Sequence, residues 1–89
     1  MPTVRFTATL ARHRPTPSVT VGGQTLREAL DGAFRDDGLL RSYVLDEQGR
    51  LRKHVTIYID GDVVSDRVRL TDPVGERSEI YVLQALSGG

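Results

Sequence analysis

Apolar and polar positions alternate with period two from Val4 through Phe6, Ala8 and Leu10, with Arg5, Thr7 and Thr9 between them. That period sends successive side chains to opposite faces, so it predicts a strand with one buried face. Pro15 and Pro17 then interrupt the chain. Ser18-Val19-Thr20-Val21 alternates again and Gly22-Gly23 supplies a turn, which predicts a second strand hairpinned to the first.

The period changes after Gln24. Thr25 stands three residues before Glu28, the spacing of a capping box in which each side chain satisfies an orphan backbone N–H of the other. Leu26, Ala29, Leu30, Ala33 and Phe34 follow at i, i+3, i+4, i+7 and i+8, one stripe of an amphipathic helix facing a sheet. Gly32 lies off that stripe, and Gly38 is the expected C-terminal stop. Between Leu39 and Lys53 the pattern weakens. Tyr43-Val44-Leu45 and Leu51 flank the turn sequence Asp46-Glu47-Gln48-Gly49, which predicts a short hairpin or a long ordered loop.

Val55, Ile57 and Ile59 alternate with Thr56 and Tyr58, and Asp60-Gly61 is a type I′ hairpin signal before Val63-Val64. A polar connection containing Asp72-Pro73 leads to Glu79-Ile80-Tyr81-Val82-Leu83, apolar on both sides and so expected as a central strand. Two strands, a helix, then short hairpin-linked strands ending in a buried one imply one main helix packed across a mixed sheet. The expected fold is α+β, a β-grasp, with another small α+β sandwich as the alternative.

At 89 residues the chain has room for one core, and 38% hydrophobic with 27% charged residues suits a compact domain. The absence of cysteine excludes disulfides, thiolate metal sites and cysteine nucleophiles. Twelve basic against twelve acidic side chains argue against a nucleic-acid partner. No apolar run is long enough to span a bilayer and Met1-Pro2-Thr3-Val4-Arg5 is unlike a signal peptide, so the expectation is a cytoplasmic protein with no membrane partner.

The sharpest chemical signal follows the last strand. Residues 1–84 are expected as the β-grasp domain and residues 85–89, Ala85-Leu86-Ser87-Gly88-Gly89, as a flexible tail. Five extended residues reach roughly 17 Å, enough to enter a partner's active site. Two glycines lack Cβ atoms and permit close approach to the carboxylate of Gly89. Ala85, Leu86, Ser87 and Gly88 are therefore the expected partner-binding residues, and Gly89 the reacting one.

Leu51-Arg52-Lys53-His54-Val55-Thr56-Ile57-Tyr58-Ile59-Asp60-Gly61-Asp62, together with Ile80-Tyr81-Val82-Leu83 leading to Gly88-Gly89, resembles the ubiquitin-like sulfur carriers that include the molybdopterin synthase small subunit and the thiamine sulfur carrier. Asp60-Gly61-Asp62 stands where Asn-Gly-Glu is frequent in that family. The late Gly-Asp turn and the Pro-Val-Ala-Gly-Gly ending are replaced by Gly75-Glu76-Arg77-Ser78-Glu79 and Gln84-Ala85-Leu86-Ser87-Gly88-Gly89. The resemblance implies a carrier and co-substrate, not an enzyme, with no cofactor of its own. Its Gly89 carboxylate would be adenylated by a ubiquitin-activating-type enzyme using ATP. Sulfide would then replace AMP to give a thiocarboxylate for a sulfur-accepting biosynthetic enzyme.

The same tail would serve a ubiquitin-like modifier that forms amide bonds to lysine, or an interaction module. A stand-alone enzyme is disfavoured because no nucleophile–base pair is evident. His54, preceded by Arg52 and Lys53 at a strand entrance, reads as a surface or packing residue, with a contact to a partner's phosphate or a proton transfer as the alternative. Arg12-His13-Arg14 reads as a solvated loop or a docking point for an acidic partner. Asp36-Asp37 and Asp60/Asp62 are explained by turn chemistry, so no metal is assigned.

Overall fold

The alternating segments at the two ends of the chain become neighbours in one sheet. The computed structural model describes residues 1–6, 18–35 and 37–84. Strands β1 (Thr3–Phe6), β2 (Ser18–Thr20), β3 (Val55–Ile59), β4 (Asp62–Val63) and β5 (Glu79–Gln84) lie in the order β2-β1-β5-β3-β4. β1 runs parallel to β5, in register from Thr3 opposite Glu79 to Phe6 opposite Val82. The other pairs are antiparallel. The last strand is central, as its apolar run implies.

Helix α1 (Leu26–Ala33) starts as the sequence suggests, with one adjustment. Thr25 Oγ1 accepts the Glu28 N–H at 3.3 Å, but Glu28 Oε1 reaches back to the N–H of Gln24 at 2.7 Å, not to that of Thr25. The whole stripe is buried: Leu26, Ala29, Leu30, Ala33 and Phe34 pack on Val4 and Phe6 of β1, Val55 and Ile57 of β3, and Ile80 and Val82 of β5. The Phe6 and Phe34 rings meet with centroids 6.0 Å apart in a tilted arrangement, within the favoured range for aromatic pairs. Gly23 holds φ +134°, and a Cβ there would sit 2.8 Å from Glu28 Cβ, so the turn into α1 needs glycine.

Three expectations are corrected. Gly38 does not stop α1, which ends at Phe34; it is the first residue of a second short helix, α2 (Gly38–Val44). Asp37 caps that helix by accepting the Leu40 N–H at 3.1 Å, and Leu40 and Val44, one turn apart, anchor it in the core. The hairpin or loop expected after Leu39 therefore begins as a helix. The expected turn follows it: an isolated Leu45–Leu51 bridge and the Asp46 N–H donating to Arg50 C=O at 2.8 Å close Asp46-Glu47-Gln48-Gly49. Finally, β5 is not buried on both faces, since Tyr81 is 43% exposed.

The Asp60-Gly61 turn has positive φ at both residues, 52° and 92°, and sets Ile59 opposite Asp62. The polar connection after β4 is held by carboxylates. Asp72 accepts the N–H groups of Ser65 and Asp66, and Asp66 accepts those of Val68 and Arg69 and the Thr71 hydroxyl. Among the described residues no helix is long and apolar enough to cross a membrane. Ala8 and Leu10, expected to prolong β1, lie outside the described residues.

Candidate functional site

Burial of Ile80 and Val82 under α1 determines which side chains β5 turns outward. Alternation sends Glu79, Tyr81 and Leu83 to the opposite face. Register then builds a row across that face: Arg5 stands opposite Tyr81, Tyr81 opposite Tyr58, and Tyr58 opposite Val63. Tyr81, Tyr58 and Val63 are 43%, 38% and 54% exposed, an apolar stripe on the face opposite the one that α1 covers. Arg5 Nε meets Glu79 Oε1 at 3.0 Å beside the stripe. Exposed apolar patches of this kind mark interaction surfaces. The sequence carried the signal in Tyr58 and Tyr81, each alternating with buried isoleucines or valines, but the apolar run of β5 concealed the outward direction of Tyr81.

At one end of the same strand, Gln84, the last residue of β5, pairs with Val55, the first of β3. Lys53 and His54 immediately precede Val55 and are exposed. The expected reacting residue Gly89 and its neighbours Ala85, Leu86, Ser87 and Gly88 lie outside the described residues, as do Asp36 and the Arg12-His13-Arg14 cluster.

Two further polar candidates, Asp60 and Asp37, have structural partners. Asp60 accepts the Ser78 hydroxyl and the Glu79 N–H, both at 2.9 Å, clamping the hairpin turn to the start of β5. Asp37 is the cap of α2. Hydrogen bonds to the ionised form lower two carboxyls. The Arg50 N–H, followed by that of Gln48 and the Arg50 guanidinium, lowers Asp46; the Thr71 hydroxyl and then the Arg69 N–H bring Asp66 from its ordinary 3.8 to about 2. Among the described residues no group of three His, Cys, Asp or Glu side chains is placed to hold a metal ion.

No protein-family model and no curated protein matches the sequence. Solved structures match the fold closely. SAMP1 from Haloferax volcanii has a TM-score of 0.81 at 24% identity, covering 99% of this chain and 98% of that one. A chain of the BexX/CysO complex from Amycolatopsis orientalis has 0.85 at 22%, covering all of both chains. Urm1 from Sulfolobus solfataricus has 0.71 at 18%, covering 93% of this chain and 99% of that one. The shared architecture is the β-grasp.

Proposed function

We propose that this β-grasp chain is a ubiquitin-like sulfur carrier whose reacting group is the terminal carboxylate of Gly89. The observation that carries the reading is the place of β5: it is the central strand, it ends at Gln84, and the sequence continues Ala85-Leu86-Ser87-Gly88-Gly89. A partner that receives those residues must cover that end of the sheet. The stripe of Tyr81, Tyr58 and Val63, on the same strand and its neighbours, is the apolar surface on which it lands.

A carboxylate is unreactive at neutral pH, so the partner must supply a leaving group. A Gly89 oxygen attacks the α-phosphorus of ATP and expels pyrophosphate, giving an acyl adenylate. Sulfide then attacks the acyl carbon and expels AMP, leaving a thiocarboxylate that a biosynthetic enzyme consumes. The carrier contributes a slender path and a docking surface: Gly88 and Gly89 bring no side chain, and Leu86 is the one large apolar anchor of the segment.

The modifier reading has an observation of its own in its favour, since a solved fold neighbour carries the name small archaeal modifier protein 1. In that case the activated Gly89 acyl group passes to a lysine amine. Intact-mass spectrometry after incubation with the activating enzyme, ATP and a sulfide donor separates the two. Gain of one sulfur for one oxygen on the free chain supports the carrier, and amide adducts to other proteins support the modifier.

A further inference from the structure

A second feature lies at the end of the sheet where Gln84 pairs with Val55. Between the Leu45–Leu51 bridge and the start of β3 lies an open cleft of about 500 Å³, lined by Asp46, Arg50, Arg52, Lys53, His54 and Arg67 among others. Its floor is built by main-chain bonds. Leu51 N–H donates to Arg67 C=O at 2.8 Å and Arg52 N–H to Val44 C=O at 3.1 Å, tying the segment before β3 to α2 and to the turn after β4.

Two cations of this cleft, Arg52 and Arg67, are ordered without being neutralised. Arg67 Nη2 donates to the carbonyls of Arg52 and Val55, both at 2.7 Å, and Arg52 Nε donates to the Ser42 carbonyl at 2.7 Å. Carbonyl oxygens orient a guanidinium but leave its charge intact, and the other N–H groups of each fork remain for a ligand. The side chains of Lys53 and His54 have no hydrogen-bond or ion-pair partner among the described residues. The single acid in the lining, Asp46, is already engaged by the N–H groups of Gln48 and Arg50 and by Arg50 Nε at 3.1 Å. A chain of zero net charge thus concentrates three uncompensated cations, Arg52, Lys53 and Arg67, at one place.

That place adjoins the end of β5, because Gln84 pairs with Val55 and Val55 follows Lys53-His54. We infer that the cleft is an electrostatic docking site for a carboxylate-rich segment of the partner protein, one that rims the opening through which residues 85–89 enter. The inference rests on the carrier reading for the partner's presence, while the cleft's preference for carboxylates is a property of this chain alone. Guanidiniums already held by the backbone lose little freedom when a carboxylate arrives, so the site adds registry and association rate to the contact made by the apolar stripe.

Lys53 is the only lysine of the chain, which gives the test a unique reporter. The ¹⁵N-labelled full chain is titrated with a decaglutamate peptide and, separately, with tripolyphosphate, following the amides of residues 50–55 and 67. Decaglutamate should shift these amides, the shifts should collapse at high salt as screening predicts, and Lys53→Glu should weaken binding about fivefold or more with unchanged melting temperature. Lys53→Gln should fall between. Absence of shifts, unchanged affinity in both variants, or tighter binding of tripolyphosphate, which would make the cleft a nucleotide or phosphate site, would overturn the inference. A chain lacking Gly89 should bind decaglutamate normally. Loss of activation with normal titration, or the reverse, therefore tells the failure of one reading from that of the other.

Discussion

Replacing Phe34 by Ala tests the packing that holds the sheet in register under α1. Phe34 caps the helix and is 3% exposed, and its ring meets Phe6 of β1, the strand parallel to β5. The capping bonds involve only backbone: Phe34 N–H donates to Leu30 C=O at 2.9 Å, a bond alanine makes equally well. The loss is therefore one of packing. Truncating a buried phenylalanine removes transfer free energy and leaves a cavity, together about 3–5 kcal/mol. The aromatic contact with Phe6 adds about 0.5–1.5 kcal/mol to what the ring's burial supplies, which places the expectation in the upper half of that range. Typical stability for a domain of this length is about 4–13 kcal/mol, so the variant should approach the edge of folding. At about 4–8 °C per kcal/mol, the melting temperature should fall by at least about 16 °C. Urea unfolding followed by far-UV circular dichroism measures it, with Phe34→Leu as a milder variant should the alanine chain fail to fold. A loss under about 1 kcal/mol would mean that the ring is not part of the core and that the helix stripe is misassigned.

Removing Gly89, or adding a residue after it, should abolish ATP-dependent pyrophosphate release with the cognate activating enzyme while the melting temperature stays within error, and Gly88→Val should act likewise because a β-branched side chain fills the path. Wild-type activation of the truncated chain would sink the carrier reading. Tyr81→Ser on the open face and Leu86→Asp in the tail should each weaken partner binding; calorimetric titration that finds wild-type affinity in both would remove the stripe and the tail from the interface. Asp66 predicts an acid dependence: its folded value, about 2, lies below the ordinary 3.8, so its stabilising contribution is full above about pH 4 and is lost as pH falls towards 2. Asp66→Asn should flatten that part of the stability profile, and an unchanged slope between pH 4 and 2 by urea titration would count against the turn network.

What sequence alone determined lies within single elements. The positions from Leu26 to Phe34 declare a helix because its period is a local property, and Asp60-Gly61 declares a hairpin because positive φ at two successive positions narrows the choice of residues there. Helix α2 escaped because Leu40 and Val44 are its only buried residues, too few for a period, and because Gly38 reads as a stop unless the Asp37 cap is seen in place. The Gly-Gly segment was legible as a motif, but its root was not, since the pairing of Gln84 with Val55 joins residues distant in sequence.

Tertiary structure alone decided what surrounds that root. An apolar strand can be central and still turn one face to solvent, and only the placement of α1 over Ile80 and Val82 shows that Tyr81 points away from it. In the same way Arg67 is distant from Arg52-Lys53 in the sequence and joins them in one cleft because the main-chain carbonyls of Arg52 and Val55 hold its guanidinium. Helical and turn preferences act within a few residues of one another, whereas sheet order, facing and charge clustering follow from contacts between distant segments that form only when the whole core closes.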